Sequence, residues 1–353
     1  MVVVGGGVIG CAIALELARR GVTVTLLERL TIASGASFGA GGMLAPQVEA
    51  EGPGPLLDLG MSSRDLFPSF CATLDDGCGL HMDGILRVAS TEGSAAALRA
   101  RAEWQGRAGL TVRICDAQEC AAQAPGVADA VLGLWVPDGQ VDAYRFTLAL
   151  AQAAAQSGVD IREGTPALRV LDGRVETAEG RLEAQTVVVA AGAWSGRLVE
   201  IPVVPLKGQR LLLRHTRANL PQVLWTDHCY LVPKAGGRVL VGATEEPQAG
   251  FDRRVTAAAM ARLAGAAIAS LPAFADAEWE EGWAGLRPTT PDHLPVLGWL
   301  PGSARTMLAT GHHRNGILLA PLTAQRIAQA IVDGASLPQA CAPERFTVRN
   351  EVG

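Results

Sequence analysis

Apolar positions along this chain follow two rhythms. At the start, VVVGGGVIG runs a continuous apolar strand into glycines. VIGCAIALELARRG then spaces Ile9, Ile13 and Leu17 on one helical face and stops at Gly21. The next strand, VTVTLLE, ends at Glu28. Much later, TVVVAAGAWSG at 186–196 reads as a buried parallel strand closed by a small-residue turn. MLATGHHRNGILLAPLTAQRIAQAIVDG at 307–334 predicts a strand, a Gly-bracketed polar turn, and a long helix carrying Ile317, Leu318, Pro321, Ile327 and Ile331. Between these pieces lie short apolar runs parted by Gly/Pro turns. LRVAS, VLGLWVPDGQ, QRLLLRH, HCYLVPK and GRVLVGAT predict one antiparallel sheet. Ala-rich stretches 94–108, 143–157 and 255–271 predict helices, with Asp142 as N-cap of the second and Gly158 beyond its end.

The predicted class is α/β: a discontinuous Rossmann-like dinucleotide domain from 1–75, 140–200 and 285–353, with an α+β substrate domain from 76–139 and 201–284. At 353 residues the chain is long enough for one large or two interleaved domains. The net charge of −5 and the lack of a basic run exclude a nucleic-acid partner. No apolar run reaches the ~20 residues of a membrane span. The start shows no secretory pattern, and its first strand reads as clipped. Seven scattered cysteines without CxxC spacing argue for thiols in a cytoplasm rather than zinc or dithiol chemistry. No repeat or low-complexity linker is present.

Gly5, Gly7 and Gly10 form G-x-G-x-x-G between strand and helix. Gly5 makes the turn, Gly7 admits a pyrophosphate, and Gly10 lets helix and strand close together. The helix start, with Val8 and Ile9, aims unpaired N–H groups at the anion. Glu28, 18 residues past Gly10, suits ribose hydroxyls and repels a 2′-phosphate. NAD and FAD both remain at this point. SGASFGAGGMLAP at 34–46 is either a flexible surface loop or backbone packed on a large flat cofactor. A simple NAD domain has no strong need of the 186–196 crossover. The helix start after the 311–316 turn suits a partly negative ring or a phosphate. Arg287, in AGLRPTTPDHLPVLG, meets no carboxylate before Asp292. Arginine is rarely buried unpaired, so what Arg287 holds is an open question at this point, with Asp292 or a backbone carbonyl as the partners within the fold.

VVVGGGVIG, ASFGAGGMLAP, TDHCYLVPK, VGATEE, WAGLRPTTPDHLPVLG and GHHRNGILLAP together resemble the D-amino-acid-oxidase-like family of FAD amine oxidoreductases, in particular its glycine-oxidase branch. The similarity runs from residue 2 to about 321, and the last two motifs are specific to that branch. The resemblance implies FAD, held by Gly5, Gly7, Val8, Ile9, Gly10, Glu28, Arg29, Ala36, Ser37, Gly41, Gly42, Met43, Ala167, Ala191, Gly192, Trp194 and the turn His312, His313, Arg314, Asn315, Gly316, Ile317 and Leu318. Amides of that turn would face the carbonyl edge of the flavin. No cysteine stands near Gly285–Arg287, where sarcosine-oxidase relatives attach the flavin, so the FAD is expected to be non-covalent.

The resemblance further implies a small amino acid or amine as substrate and dioxygen as acceptor. Arg287 would bind the substrate carboxylate, Tyr230 would donate a second bond, and Arg314 would make a polar contact near substrate and flavin. His228, on the same strand face as Tyr230, would stand near the mouth, and Met43 would shape a small pocket. No side-chain base is assigned. His312 and His313 lack the spacing of a metal pair. Glu245 and Glu246 depart from the branch, which has an apolar residue after VGAT. They read either as inward groups limiting substrate choice or, more simply, as a solvated strand end. The implied reaction is oxidative deamination of glycine or small amines such as sarcosine, giving glyoxylate, ammonia and hydrogen peroxide, in a homotetramer serving thiamine thiazole synthesis. Alternatives are an oxidase or dehydrogenase of another D-amino acid or N-substituted glycine, or a non-catalytic FAD-binding subunit.

Overall fold

The computed structural model describes residues 1–74, 77–215 and 220–346. Residues 75, 76, 216–219 and 347–353, which fall in the segments expected above, lie outside the described residues. A six-stranded sheet has the order Val296–Trp299, Thr306–Thr310, Val187–Val189, Val2–Val4, Thr25–Leu27, Asp160–Arg162. Its pairs are parallel except the first, where Val296 faces Thr310. Val3 sits between Leu26 and Val188, with no side-chain exposure at any of the three, as a strand covered on both faces requires.

The helix Val8–Arg19 packs between the helices Ala143–Gln156 and Gly316–Val332. Ile13 and Leu17 are fully buried, each stabilising the fold by about 1.5–3 kcal/mol relative to exposure. Gly21, at φ +78°, takes the left-handed turn that ends this helix. Asp142 accepts the Arg145 amide at 3.1 Å and caps the helix after it. The expected helices at 94–108 and 255–271 run Glu92–Arg107 and Ala257–Ser270.

A second sheet has eight strands, ordered Glu278–Thr289, Val204–Arg214, Arg238–Gly242, Tyr230–Lys234, Val223–Trp225, Ile85–Ala89, Leu132–Val136, Arg113–Cys115. Its register places Leu206 opposite Arg287 and Tyr230 opposite Gly242. The sheet is mixed rather than purely antiparallel, because Val223–Trp225 runs parallel to Ile85–Ala89. The boundary expected at residue 285 falls inside the 12-residue strand Glu278–Thr289, which pairs along the Val204–Arg214 strand with one register shift between Leu212 and Leu213 and none at residue 285. That strand carries Arg287 from the second sheet toward the first. No helix among the described residues is long and apolar enough to cross a membrane.

Candidate active site

One continuous cavity runs from Glu28 and Arg29, past the Gly5–Gly7 turn and the Ser34–Met43 loop, to Tyr230, Arg287 and Arg314. Its first half is built from backbone. Gly5 has φ +115°, and a Cβ there would land on the Ala190 carbonyl. A Cβ on Gly10 would land on the Gly5 carbonyl oxygen, so the helix can approach the strand only as glycine. Gly7 differs: its Cβ would meet only Ser37 Oγ, at 3.5 Å. The space beside Gly7 is therefore left open on the cavity side. These features fit a dinucleotide pyrophosphate seated on the helix start.

Glu28 sits where ribose recognition requires a carboxylate, and it already accepts the Gly6 amide at 2.8 Å and the Leu30 amide at 2.9 Å. A carboxylate has about four lone-pair sites, so it can still take a ribose hydroxyl. Ser37 Oγ accepts the Val8 amide at 3.0 Å. The Arg29 guanidinium lies 3.6 Å over the Trp194 ring. Ala36, Gly41, Gly42, Met43, Ala167, Ala191 and Gly192 all line the wall. Trp283 closes over Gly39 and Gly285, where any Cβ would strike its ring. No cysteine is among the wall residues.

The turn at 312–315 starts the Gly316–Val332 helix. His312, His313, Arg314, Gly316 and Ile317 face the cavity. His312 Nε2 bonds Thr323 Oγ1 at 3.1 Å, and burial pushes its pKa down to about 3, so the ring is neutral. Burial does the same for His313. Three expected contacts are not on the cavity wall. Gly10 serves helix–strand packing behind it, Asn315 is the N-cap of the helix, and Leu318 is turned into the core with its carbonyl accepting Ser63 Oγ at 2.6 Å.

At the far end, Arg287 Nη1 donates to the Thr244 carbonyl at 3.2 Å, and its charge acts on the Tyr230 hydroxyl and pulls the pKa of that group down. Arg287 forms no ion pair among the described residues; Asp292 instead holds Arg345 at 2.7 Å. Two glycines make room for the pair. A Cβ on Gly208 would strike the Arg287 guanidinium, and one on Gly242 the Tyr230 ring. Burial pushes the Tyr230 pKa up, against the pull of Arg287 and Arg314, which keeps its hydroxyl a donor. A planar guanidinium and a phenol O–H, both facing one cavity, form an anion clamp suited to a carboxylate.

His228 is not brought to the clamp. It stands exposed on a bend, and the strand begins only at Tyr230. Thr226 Oγ1 accepts the amides of both His228 and Cys229 at 3.2 Å, which turns the chain before the strand starts. Arg314 does reach the cavity, but between two carboxylates: Nε lies 3.4 Å from Glu49 and Nη1 lies 3.0 Å from Glu245. Glu49 was not singled out by the sequence reading. It ends the short helix Pro46–Glu49, whose Gln47 and Val48 amides are held at 3.0 and 2.9 Å by the buried Asp138 carboxylate. Its only sequence signal is an acid directly after the small-residue loop. Glu245 is half exposed yet directed at Arg314, so it is more than a solvated strand end. Glu246 is tied to Thr244, Gln209 and Lys207.

A family model described as FAD dependent oxidoreductase (DAO) matches residues 1–330. The chain is 38% identical over 347 residues to the glycine oxidase of Geobacillus kaustophilus, covering 93% of this chain and 92% of that one. It is 37% identical to the bifunctional protein ThiO/ThiG of a Synechocystis species, covering 98% of this chain and 54% of that one. The crystal structure of glycine oxidase from G. kaustophilus superposes with a TM-score of 0.93 at 35% identity, over 98% of each chain. The glycine cradle, the acid at its ribose end and the match over nearly the whole length agree: this chain belongs to the DAO family of FAD dependent oxidoreductases.

Proposed function

We propose that this chain is an oxidase of glycine, and of small N-substituted glycines, with FAD held non-covalently. The observation that carries this reading is Arg287: a guanidinium facing the same cavity as the Tyr230 hydroxyl, without an ion pair among the described residues, at the end of a dinucleotide cavity. An amino-acid carboxylate on that fork would fix the Cα–N bond along the cavity. Charge-assisted bonds of this kind contribute about 1.5–3 kcal/mol each. Met43 and Gly41 line the wall beside Tyr230, where a Cβ on Gly41 would be in van der Waals contact with the phenol ring, and this neighbourhood supports the reading of a small substrate. FAD, which the Gly5–Gly7 turn, Glu28 and the 312–317 turn would hold, would supply the redox chemistry: acceptance of a hydride from Cα and transfer of the two electrons to dioxygen, giving hydrogen peroxide. The oxidised substrate is an imine, and water hydrolyses it to glyoxylate and ammonia.

The protein's own share is positioning and charge. Arg287 and Tyr230 orient the substrate, and the neutral His312 and His313 place no extra positive charge beside it. The relatives named ThiO/ThiG support a place in thiamine thiazole synthesis. We further place the work in the cytoplasm, in a homotetramer, with the chain divided into the FAD and substrate domains expected from its sequence. The test is spectral. The purified holoenzyme, given glycine without air, should lose the visible absorption of its oxidised flavin and should release peroxide when air is admitted. A yellow protein that ignores glycine but bleaches with a bulkier amine would overturn the substrate.

A further inference from the structure

We propose that Glu245 is a specificity-determining residue: with Glu49 it holds Arg314 and so withholds that guanidinium, which stands beside the clamp, from the substrate. The site then takes amines bearing one carboxylate and turns away those bearing two. This rests on the reading of the Arg287–Tyr230 clamp as a carboxylate site.

Arg314 is bonded by Glu245 at 3.0 Å and by Glu49 at 3.4 Å, while Arg287 has no carboxylate of its own. Arg210, the third guanidinium on this wall, is paired with Glu281 at 3.3 Å. Three guanidiniums and three carboxylates thus balance along it, and of the three only Arg287 has no carboxylate partner among the described residues. A ligand's second carboxylate would compete with Glu49 and Glu245 for Arg314 and would face both as like charges. Glu49 cannot easily yield. Asp138 pins its helix through two backbone amides and an Arg64 contact at 3.1 Å. Burial already pushes the Glu49 pKa up, against the pull of Arg314 and Arg287. Glu245 is the adjustable partner: it is half exposed and follows Thr244, whose carbonyl accepts from Arg287. One short segment therefore touches both arginines, leaving one open and occupying the other.

The experiment compares holoenzyme of the wild type with Glu245→Gln and Glu245→Met. Acetate and malonate are titrated against the flavin spectrum, and kcat/KM is measured for glycine and for iminodiacetate. In the wild type, acetate should bind more tightly than malonate. In both variants the gain for malonate should exceed that for acetate by about ten-fold, the scale of one relieved like-charge contact. The iminodiacetate-to-glycine ratio should shift the same way. Equal gains for both anions, or none, would overturn the proposal. The two readings fail separately. Acetate and malonate report on the carboxylate site without turnover, so the expected anion pattern in a protein that glycine cannot reduce would sink the glycine reading alone. If Arg287→Ala leaves acetate binding unmoved, the clamp itself is wrong, and this inference falls with it.

Discussion

Along the six-stranded sheet the cavity is lined by backbone: Gly5, Gly7, the Ser34–Met43 loop and the start of the Val8–Arg19 helix. Along the eight-stranded sheet it is lined by side chains that reach in from separate strands: Arg287, Tyr230 and Arg210. The difference follows from what each end must hold. A pyrophosphate is the same in every dinucleotide, so N–H groups and the room left by missing Cβ atoms recognise it, and a short continuous segment supplies both. A substrate is recognised by its own charge and size, and that takes side chains whose spacing is set by strand register, not by sequence distance. Leu206 faces Arg287, and Gly208, two residues along, gives the guanidinium its room.

The comparison breaks first at Arg287. If substrate recognition rests on one guanidinium, Arg287→Ala should lower kcat/KM for glycine by about 10²–10⁴, the loss of two charge-assisted bonds. FAD content should be retained. A loss below ten-fold would move the carboxylate elsewhere. The next effect lies on the other wall. Gly7→Val should weaken FAD binding by about ten- to a hundred-fold or more, because the new side chain enters space that the chain leaves open for the cofactor. The apoprotein should melt within a few degrees of wild type, since the only neighbour of a Cβ there is Ser37 Oγ at 3.5 Å. Apoprotein that no longer folds would show that the glycine serves packing instead, as Gly10 does.

The backbone wall was legible in the sequence because its parts are contiguous. The strand, the glycine spacing, the helix ending at Gly21 and the acid at Glu28 all fall within 28 residues. The cap at Asp142 was legible for the same reason. The side-chain wall was legible only where a motif carried Arg287 and Tyr230. Apolar periodicity says nothing of the direction of a neighbouring strand, so the parallel pairing of Val223–Trp225 with Ile85–Ala89 could not be read. His228 was placed beside Tyr230 because the strand was read two residues too long; the Thr226 hydroxyl breaks it earlier. Glu49 carried only the weak signal of an acid just past the small-residue loop. Its place depends on Asp138, distant in sequence, holding the amides just before it.

Lys234 joins the two walls. Its Nζ donates to the carbonyls of Gly41 at 2.9 Å and Val141 at 3.0 Å, and to Gln140 Oε1 at 3.3 Å, so a strand of the second sheet grips the small-residue loop. Burial pushes its pKa down from 10.5 to about 8, with Asp142 opposing. Between these values the unfolded chain binds more protons than the folded one, so this lysine makes stability rise with pH across that window. Below pH 8 the penalty is fully present. Allowing for partial exposure, the change should be on the order of 1–2 kcal/mol. It is read as the difference in melting temperature between wild type and Lys234→Met from pH 7 to 10.5. A difference that stays flat with pH would mean that the ammonium is as well solvated in the fold as outside it.

The smallest effect tests whether the backbone wall is wholly backbone. Among the described residues, Ser37 is the one side chain that caps the cradle helix, taking the Val8 amide at 3.0 Å. Gly7, the N-cap residue, has no side chain to do so. Ser37→Ala leaves that amide without its acceptor, and the apoprotein should lose about 1 kcal/mol, the typical worth of an N-terminal cap. The holoenzyme should lose less, because a pyrophosphate seated on the helix start would accept the same N–H. The melting temperatures of apo and holo forms therefore separate two arrangements. A larger loss without FAD makes Ser37 a stand-in for the phosphate, holding the helix start ready before the cofactor arrives. An equal loss in both forms makes it a permanent cap, and the cofactor is then met by the neighbouring amides alone.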